Sequence, residues 1–377
     1  MGKRLCVALL TITILAVSSG LAAAWTMKRL TNNPGFSGIP AIAGNGTNIY
    51  VVWQDKVSGA YKIYFRKSAD SGATWQAAKS ISSGAIYLQE PAIAASGSNV
   101  YAVWSDDPAG NPEIYFRKSA DGGATWQAEK RLTNNAGSSN DPAIAADGAN
   151  IYVVWHDTTP GNAEIHFLRS TDRGATWKNP VRLTNNSGGS FYPAVAADGA
   201  NLYVVWHDTT PGNREIFSIR STDGGASWQG AKRLTNTATD SYNPVVAASG
   251  TYVYAAWYDS SPGNPEVFFR RSIDNGASWQ SAKRLTNNGG ESRRPVLAAA
   301  AASVYLAWYD YSPGNPEIYF RKSIDRGANW LGSQRLTFNS EDSYCPSIAT
   351  DDANVYVAWY NEINGTDLDI FVKYEPL

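Results

Sequence analysis

Glu90 and Asp141 stand 51 residues apart, each directly before a proline, and Arg293-Arg294 precede another proline in the same frame. The two positions ahead of these prolines also collect Gln89, Asn140, Phe191, Tyr192, Tyr242, Asn243 and Tyr344. Two carboxyl groups cleave a glycosidic bond when spaced about 5–5.5 Å or about 6.5–9.5 Å apart, according to the stereochemical outcome. Glu90 and Asp141 are the candidate pair for that chemistry, with Glu341 and Asp342 in reserve. Carboxylates, a cationic pair and aromatic rings on one rigid rim also make a site for a polar ligand. His156 and His207, each following a tryptophan, join the candidate ligand contacts. The competing explanation is that these segments are surface loops free to drift.

Such residues are far apart in sequence, and a repeat is what brings them together. Prolines stand at 40, 91, 142, 193, 244, 295 and 346, and tryptophans at 53, 104, 155, 206, 257, 308 and 359, each series stepping by 51. Internal periodicity of this kind overrides the two or three domains that length alone would suggest. Each unit reads as four short segments rich in β-branched and aromatic residues, bounded by turn formers, with no helical period. Four strands per repeat predict an all-β, seven-bladed β-propeller of 51-residue blades over residues 25–377. A β-sandwich array is the alternative, but the chain ends favour a ring. The seventh unit stops at Leu377 before its fourth strand, while Trp25 and Lys28-Arg29-Leu30-Thr31-Asn32-Asn33 reproduce Trp126 and Lys130 to Asn135. The N-terminal strand is expected to complete the last blade, leaving no unpaired edge.

Strand parity then assigns faces. Turns from the first to the second strand and from the third to the fourth share one face, the bottom. The segment after each tryptophan and the six residues before each proline share the top. Residues just before proline should therefore ring the mouth of the central channel, and Cys345 takes one of those slots as the only cysteine after the leader. The segment after tryptophan recurs almost unchanged, as in Trp155-His156-Asp157 with Pro160-Gly161-Asn162. Its Asp is expected to accept backbone N–H bonds and stabilise the turn. The other reading is a ring of equivalent sugar subsites.

Between third and fourth strands the chain reads Ser-x-Asp-x-Gly-x-x-Trp six times, with aspartates at Asp70, Asp121, Asp172, Asp223, Asp274 and Asp325. Asp70 is placed to bond its own turn, Gly72 to take a positive φ, and Trp75 to plug the blade edge. This motif resembles the Asp-box, or bacterial neuraminidase repeat, of sialidases and many other propeller proteins. The resemblance covers 25–377 and implies a structural role for these turns, away from any active site. It makes sialidase the first enzyme to test, a family with six blades, three arginines converging on the substrate carboxylate, a Tyr/Glu nucleophile pair and an acidic general acid. This chain departs from that pattern. It has seven units, its first inner strand runs Gly38-Ile39-Pro40-Ala41 without the expected arginine, and only Arg293 and Arg294 fall at the rim. Arg66, Arg117, Arg270 and Arg321 are read as blade-surface residues.

Residues 1–24 read as a signal peptide: Lys3-Arg4, an apolar run from Leu5 to Val17, and Ala22-Ala23-Ala24. The run is shorter than the roughly 20 residues of a membrane span, so no membrane insertion is expected. A secreted or cell-surface location follows. Formal charge is −1, becoming −3 once two basic residues leave with the leader, without any block of like charge. That gives no footprint for nucleic acid. Three histidines and one mature cysteine make a zinc site improbable; no metal or cofactor is expected, and a monomer is. The reading that results is a lectin-like recognition propeller binding carbohydrate on its top face. An exo-glycosidase of sialidase type and an extracellular protein-binding scaffold are the alternatives.

Overall fold

The computed structural model describes residues 25–57, 59–83, 88–107, 110–351, 353–363, 365 and 367–376. The expected leader, 1–24, lies outside them. Seven four-stranded antiparallel sheets form seven blades of a β-propeller, and the only secondary structure among the described residues is strand and turn. In the first blade the strands are Ser37–Asn45, Asn48–Val57, Ala60–Ser68 and the two-residue Lys79–Ser80. No helix there is long and apolar enough to cross a membrane.

Each second strand runs between two packed faces, so it lacks the alternation of a half-exposed strand. In the first blade Ile49, Tyr50, Val51, Val52 and Trp53 are all essentially inaccessible. The seven tryptophans of the 51-residue series are fully buried. Six of them meet an aromatic ring of the adjacent third strand, as in Trp53 with Tyr64 at 5.9 Å; in the third blade the partner of Trp155 is His166. First strands of neighbouring blades pack side by side around the axis.

Closure occurs as the chain ends predict. Thr26–Arg29 pairs antiparallel with Asp367–Pro376, the third strand of the last blade. Trp25 then occupies the slot that a turn tryptophan fills elsewhere: it meets Phe320 edge-on at 4.9 Å, as Trp126 meets Phe65 at 5.0 Å. Every blade thereby has four strands.

The bottom turns close on themselves. Asp121 accepts from the Thr125 amide at 2.8 Å and from the Thr125 hydroxyl at 2.5 Å, while Gly123 N–H donates to Ser119 Oγ at 2.8 Å. Gly123 has φ +84°, and a Cβ there would stand 2.3 Å from the Phe65 ring, so conformation and space both demand glycine. Each turn is tied to the first hairpin of its own blade, as by Gly122 N–H to Ser98 O at 2.7 Å. Arg66, Arg117, Arg270 and Arg321, expected on the blade surface, instead reach across to the preceding blade. Their guanidiniums donate to Leu30 O, Ile81 O, Leu234 O and Leu285 O. They are half-buried staples between blades.

Candidate functional site

Every first strand carries the same irregularity. Pairing with the second strand slips between Gly38 and Ala41, Gln89 and Ala92, Asn140 and Ala143, Phe191 and Ala194, Tyr242 and Val245, Arg293 and Val296, and Tyr344 and Ser347. Each slip is a β-bulge holding the proline and the residue before it. Proline has no N–H to give a ladder, so a bulge is where a sheet tolerates it. The residue before it is forced to positive φ, between 32° and 53°, at Ile39, Glu90, Asp141, Tyr192, Asn243, Arg294 and Cys345. None is glycine, and Ile39 is β-branched, so the ring holds real backbone strain. Its effect is to re-aim seven side chains into the mouth of the central channel, where they and their prolines line a cavity of about 230 Å³.

A larger cleft of about 760 Å³ opens beside this mouth on the top face. Its walls include Asn140, Asp141, His156, Phe191, Tyr192, His207, Tyr242, Asn243, Arg293 and Arg294, ten of the residues singled out by position in the repeat. Glu90 faces the channel next to Asp141. Tyr344 lies beyond the cleft in the seventh blade, and the side chain of Gln89 is outside the described residues. Arg214, Tyr258 and Tyr309 also line the cleft and were missed. Tyr258 and Tyr309 sit in the frame of His156 and His207, so the 51-residue ruler could have found them. Arg214 stands where the second, third, fifth and sixth units carry Pro112, Ala163, Pro265 and Pro316, and that departure was its signal.

Glu90 and Asp141 are neighbours in the lining of the channel mouth. Burial, followed by the Asp141 charge, pushes the Glu90 carboxyl up to about 7, against the pull of Arg294. His156 Nδ1 lies 3.1 Å from Asp141 Oδ2 on the opposite side, and Arg294 Nη1 is 3.9 Å from Glu90. Arg294 also donates to Cys345 Sγ at 3.3 Å. Burial pushes the Cys345 thiol up, and Arg294 opposes it.

The far wall is aromatic and cationic. His207 lies between Tyr192, Phe191 and Tyr242, with ring centroids 5.5, 5.8 and 6.0 Å away. Burial, followed by Arg214 and His156, pulls His207 down to about 4, which keeps it neutral. Arg214 lies over Tyr242 at 5.1 Å and pairs with Asp240 at 3.2 Å. Arg293 lies over Tyr258 at 5.9 Å and pairs with Glu291 through Nη2 at 2.8 Å. Its Nε is buried without a partner among the described residues.

In the third to sixth blades the segment after tryptophan behaves as a turn device, its Asp accepting from the amide two residues on. Asp157 is fully buried and accepts from Thr159 N–H, Ser139 Oγ, Asn135 Nδ2 and Trp155 Nε1. Its acceptors are spent inside the blade, which removes the ring of equivalent Asp-based sugar subsites. Among the described residues no group of three or more His, Cys, Asp or Glu is arranged to hold a metal ion.

No protein-family profile matches the chain. A xyloglucanase of Acetivibrio thermocellus is 25% identical over 251 residues, 58% of this chain and 28% of that enzyme. A sialidase of Clostridium perfringens is 26% identical over 202 residues, 44% of this chain and 52% of its own length. The chain thus spans less than two thirds of either relative. Among solved structures, an ulvan lyase, a polysaccharide lyase, superposes with a TM-score of 0.66 at 12% identity, covering 91% of this chain and 94% of that one. A Trypanosoma rangeli sialidase in complex with sialic acid gives 0.57 at 14% identity, covering 94% and 59%. At these identities the structural likeness shows the fold alone.

Proposed function

We propose that the chain recognises an acidic carbohydrate in the top-face cleft. The observation that carries this reading is the convergence of Arg214, Arg293 and Arg294 on one cavity walled by tyrosine and histidine. A guanidinium fork takes a carboxylate through two parallel N–H bonds, and the half-exposed rings of Tyr192 and Tyr242 suit the apolar face of a sugar ring. A cavity of about 760 Å³ is within the range of a small-ligand site. A xyloglucanase, a sialidase and a polysaccharide lyase are named for different substrates, and carbohydrate is what they have in common.

Cleavage is the second reading, favoured by one observation. A Glu90 carboxyl near 7 beside Asp141 is a group that can exchange a proton at neutral pH. Recognition is the primary reading because the arginines and aromatic rings line one open cleft, whereas Glu90 faces the narrower channel beside it. Export after cleavage near Ala24 belongs to the same proposal, and N-terminal sequencing of secreted protein tests it.

A glycan array carrying sialylated, uronate-containing and neutral sugars, read over time for bound protein and for released sugar, tests the function. Retention on acidic glycans that stay intact supports recognition. Sugar release moves the protein to the enzymes, and retention on neutral glycans alone removes the role given to the arginines.

A further inference from the structure

The sequence Asp-Ser-Tyr occurs ahead of the proline in two blades, as Asp240-Ser241-Tyr242 in the fifth and Asp342-Ser343-Tyr344 in the seventh. The two copies fold alike. Tyr242 OH donates to Asp240 Oδ2 at 2.7 Å, and Tyr344 OH to Asp342 Oδ2 at 2.9 Å. Each middle serine is fully buried and tied to its own blade, Ser241 to Asp259 at 2.6 Å and Ser343 to Asn361 at 2.8 Å. Each tyrosine faces a second one from the neighbouring strand, Tyr258 at 5.1 Å and Tyr360 at 5.8 Å. The result is two half-exposed tyrosines, Tyr242 and Tyr344, each a platform with its hydroxyl held in place by a carboxylate; Tyr258 is buried against the first.

The sixth blade lies between them and carries Glu291-Ser292-Arg293 in the same frame. Arg293 leans over Tyr258 on one side. On the other, Tyr309, a cleft residue, meets Tyr344 edge-on at 5.3 Å, and the Tyr311 and Tyr344 hydroxyls are 3.5 Å apart. Tyr309 thus joins the cleft wall to the ring of Tyr344 in the seventh blade. The first two blades carry Gly38 and Ser105 in slots where later blades carry rings, so the aromatic surface is an arc on one side of the channel.

We infer that the ligand is a chain: an internal stretch of an acidic oligosaccharide lying across the fifth to seventh blades, one sugar ring on Tyr242, a carboxylate at Arg293 and another ring on Tyr344. This rests on the acidic-carbohydrate reading of the cleft. A single sugar occupies one platform. Two equivalent platforms on either side of one guanidinium match successive rings of a polymer, and joining two weak contacts raises affinity without new chemistry.

Titration calorimetry of the mature chain with galacturonic acid and glucuronic acid, and with size ladders of galacturonate and hyaluronan oligomers, tests the inference. For the wild type, affinity rises with length until both platforms are covered. Tyr344→Ala lowers the ratio of long-oligomer to monosaccharide affinity by about tenfold, the value of one stacked ring. Tyr344→Phe, which keeps the ring and drops the hydroxyl, loses less. Binding that is independent of length overturns the chain inference and leaves the acidic-sugar reading standing. A Tyr344→Ala loss equal at every length also overturns it, by showing that Tyr344 acts through the blade. Silence of the wild type toward every acidic probe removes both readings.

Discussion

On the bottom face six turns repeat one eight-residue sequence, each closing on itself through the same serine, aspartate and glycine; on the top face the residues before each proline differ in all seven blades. Both faces rest on the same strands. The bottom turns spend their polar groups internally, Asp121 on Thr125 and Ser119. The top positions are held as rigidly by a bulge and a buried serine, yet their side chains point outward into the cleft and channel. A repeat therefore separates two jobs. What it copies without change holds the blade, and what it changes at a fixed position defines the site.

The largest effect expected from that division is on the bottom face. Trp126→Ala removes a ring packed edge-on against Phe65 of the neighbouring blade, and should cost about 3 kcal/mol of stability. Ligand affinity per folded molecule, measured well below the melting temperature, should not change. Lost binding with an unchanged melt would erase the distinction between the faces.

Arg293→Ala is the converse test. Its ion pair with Glu291 is half-exposed on both sides, and such pairs are worth about 0–1 kcal/mol, so melting should barely move. Binding of an acidic glycan should fall roughly ten- to a hundredfold, the value of a charge-assisted hydrogen bond. A large melting change with intact binding would make Arg293 part of the scaffold.

How far each face was legible follows from the same physics. Strand count, ring closure by Trp25 to Arg29 and the placement of His156, Tyr192 and Arg294 on one rim depend on spacing and parity, which the 51-residue step states directly. The proximity of Glu90 to Asp141 at the channel mouth does not. It depends on the angle between blades and on the positive φ at each residue before proline, a strain that no pattern of residue types announces. Arg214 was missed because it sits in a segment whose other copies hold Ala or Pro and was read as uniform. The staple arginines were misplaced because a third-strand side chain can turn outward to water or sideways to the next blade, and the sequence is the same in both cases.

Acid sharpens the bottom face. The Thr74 hydroxyl, followed by the Thr74 amide and the Ser68 hydroxyl, holds the Asp70 carboxyl down at about 2 against an ordinary 3.8; Asp274 and Asp325 lie at about 2, and the other three are also lowered. A carboxyl lower in the folded than in the unfolded chain contributes stability above its unfolded value, and that stability is lost as pH falls toward the folded one. Melting should therefore drop between about pH 4 and pH 2. Asp121→Asn should melt lower than the wild type at neutral pH and show a shallower acid drop; parallel curves would mean the aspartates do not carry it.

The smallest effect, and the most specific to the top face, concerns Glu90. Its carboxyl lies above the ordinary range because of burial and Asp141, at about 7, so the sign is opposite to that of the bottom aspartates. The stability it contributes is complete below its unfolded value near 4.5 and is lost as pH rises through about 7. Ionisation also places a second negative charge beside Asp141 and gives Arg294 a full counter-charge, and both oppose an incoming carboxylate. Affinity for an acidic glycan should fall by a factor of about three to ten between pH 6 and pH 8. Glu90→Gln keeps the shape, cannot ionise, and should flatten that profile while binding at pH 8 as the wild type does at pH 6. A Glu90→Gln profile as steep as the wild type's would assign the titration to another group and leave Glu90 as part of the channel wall.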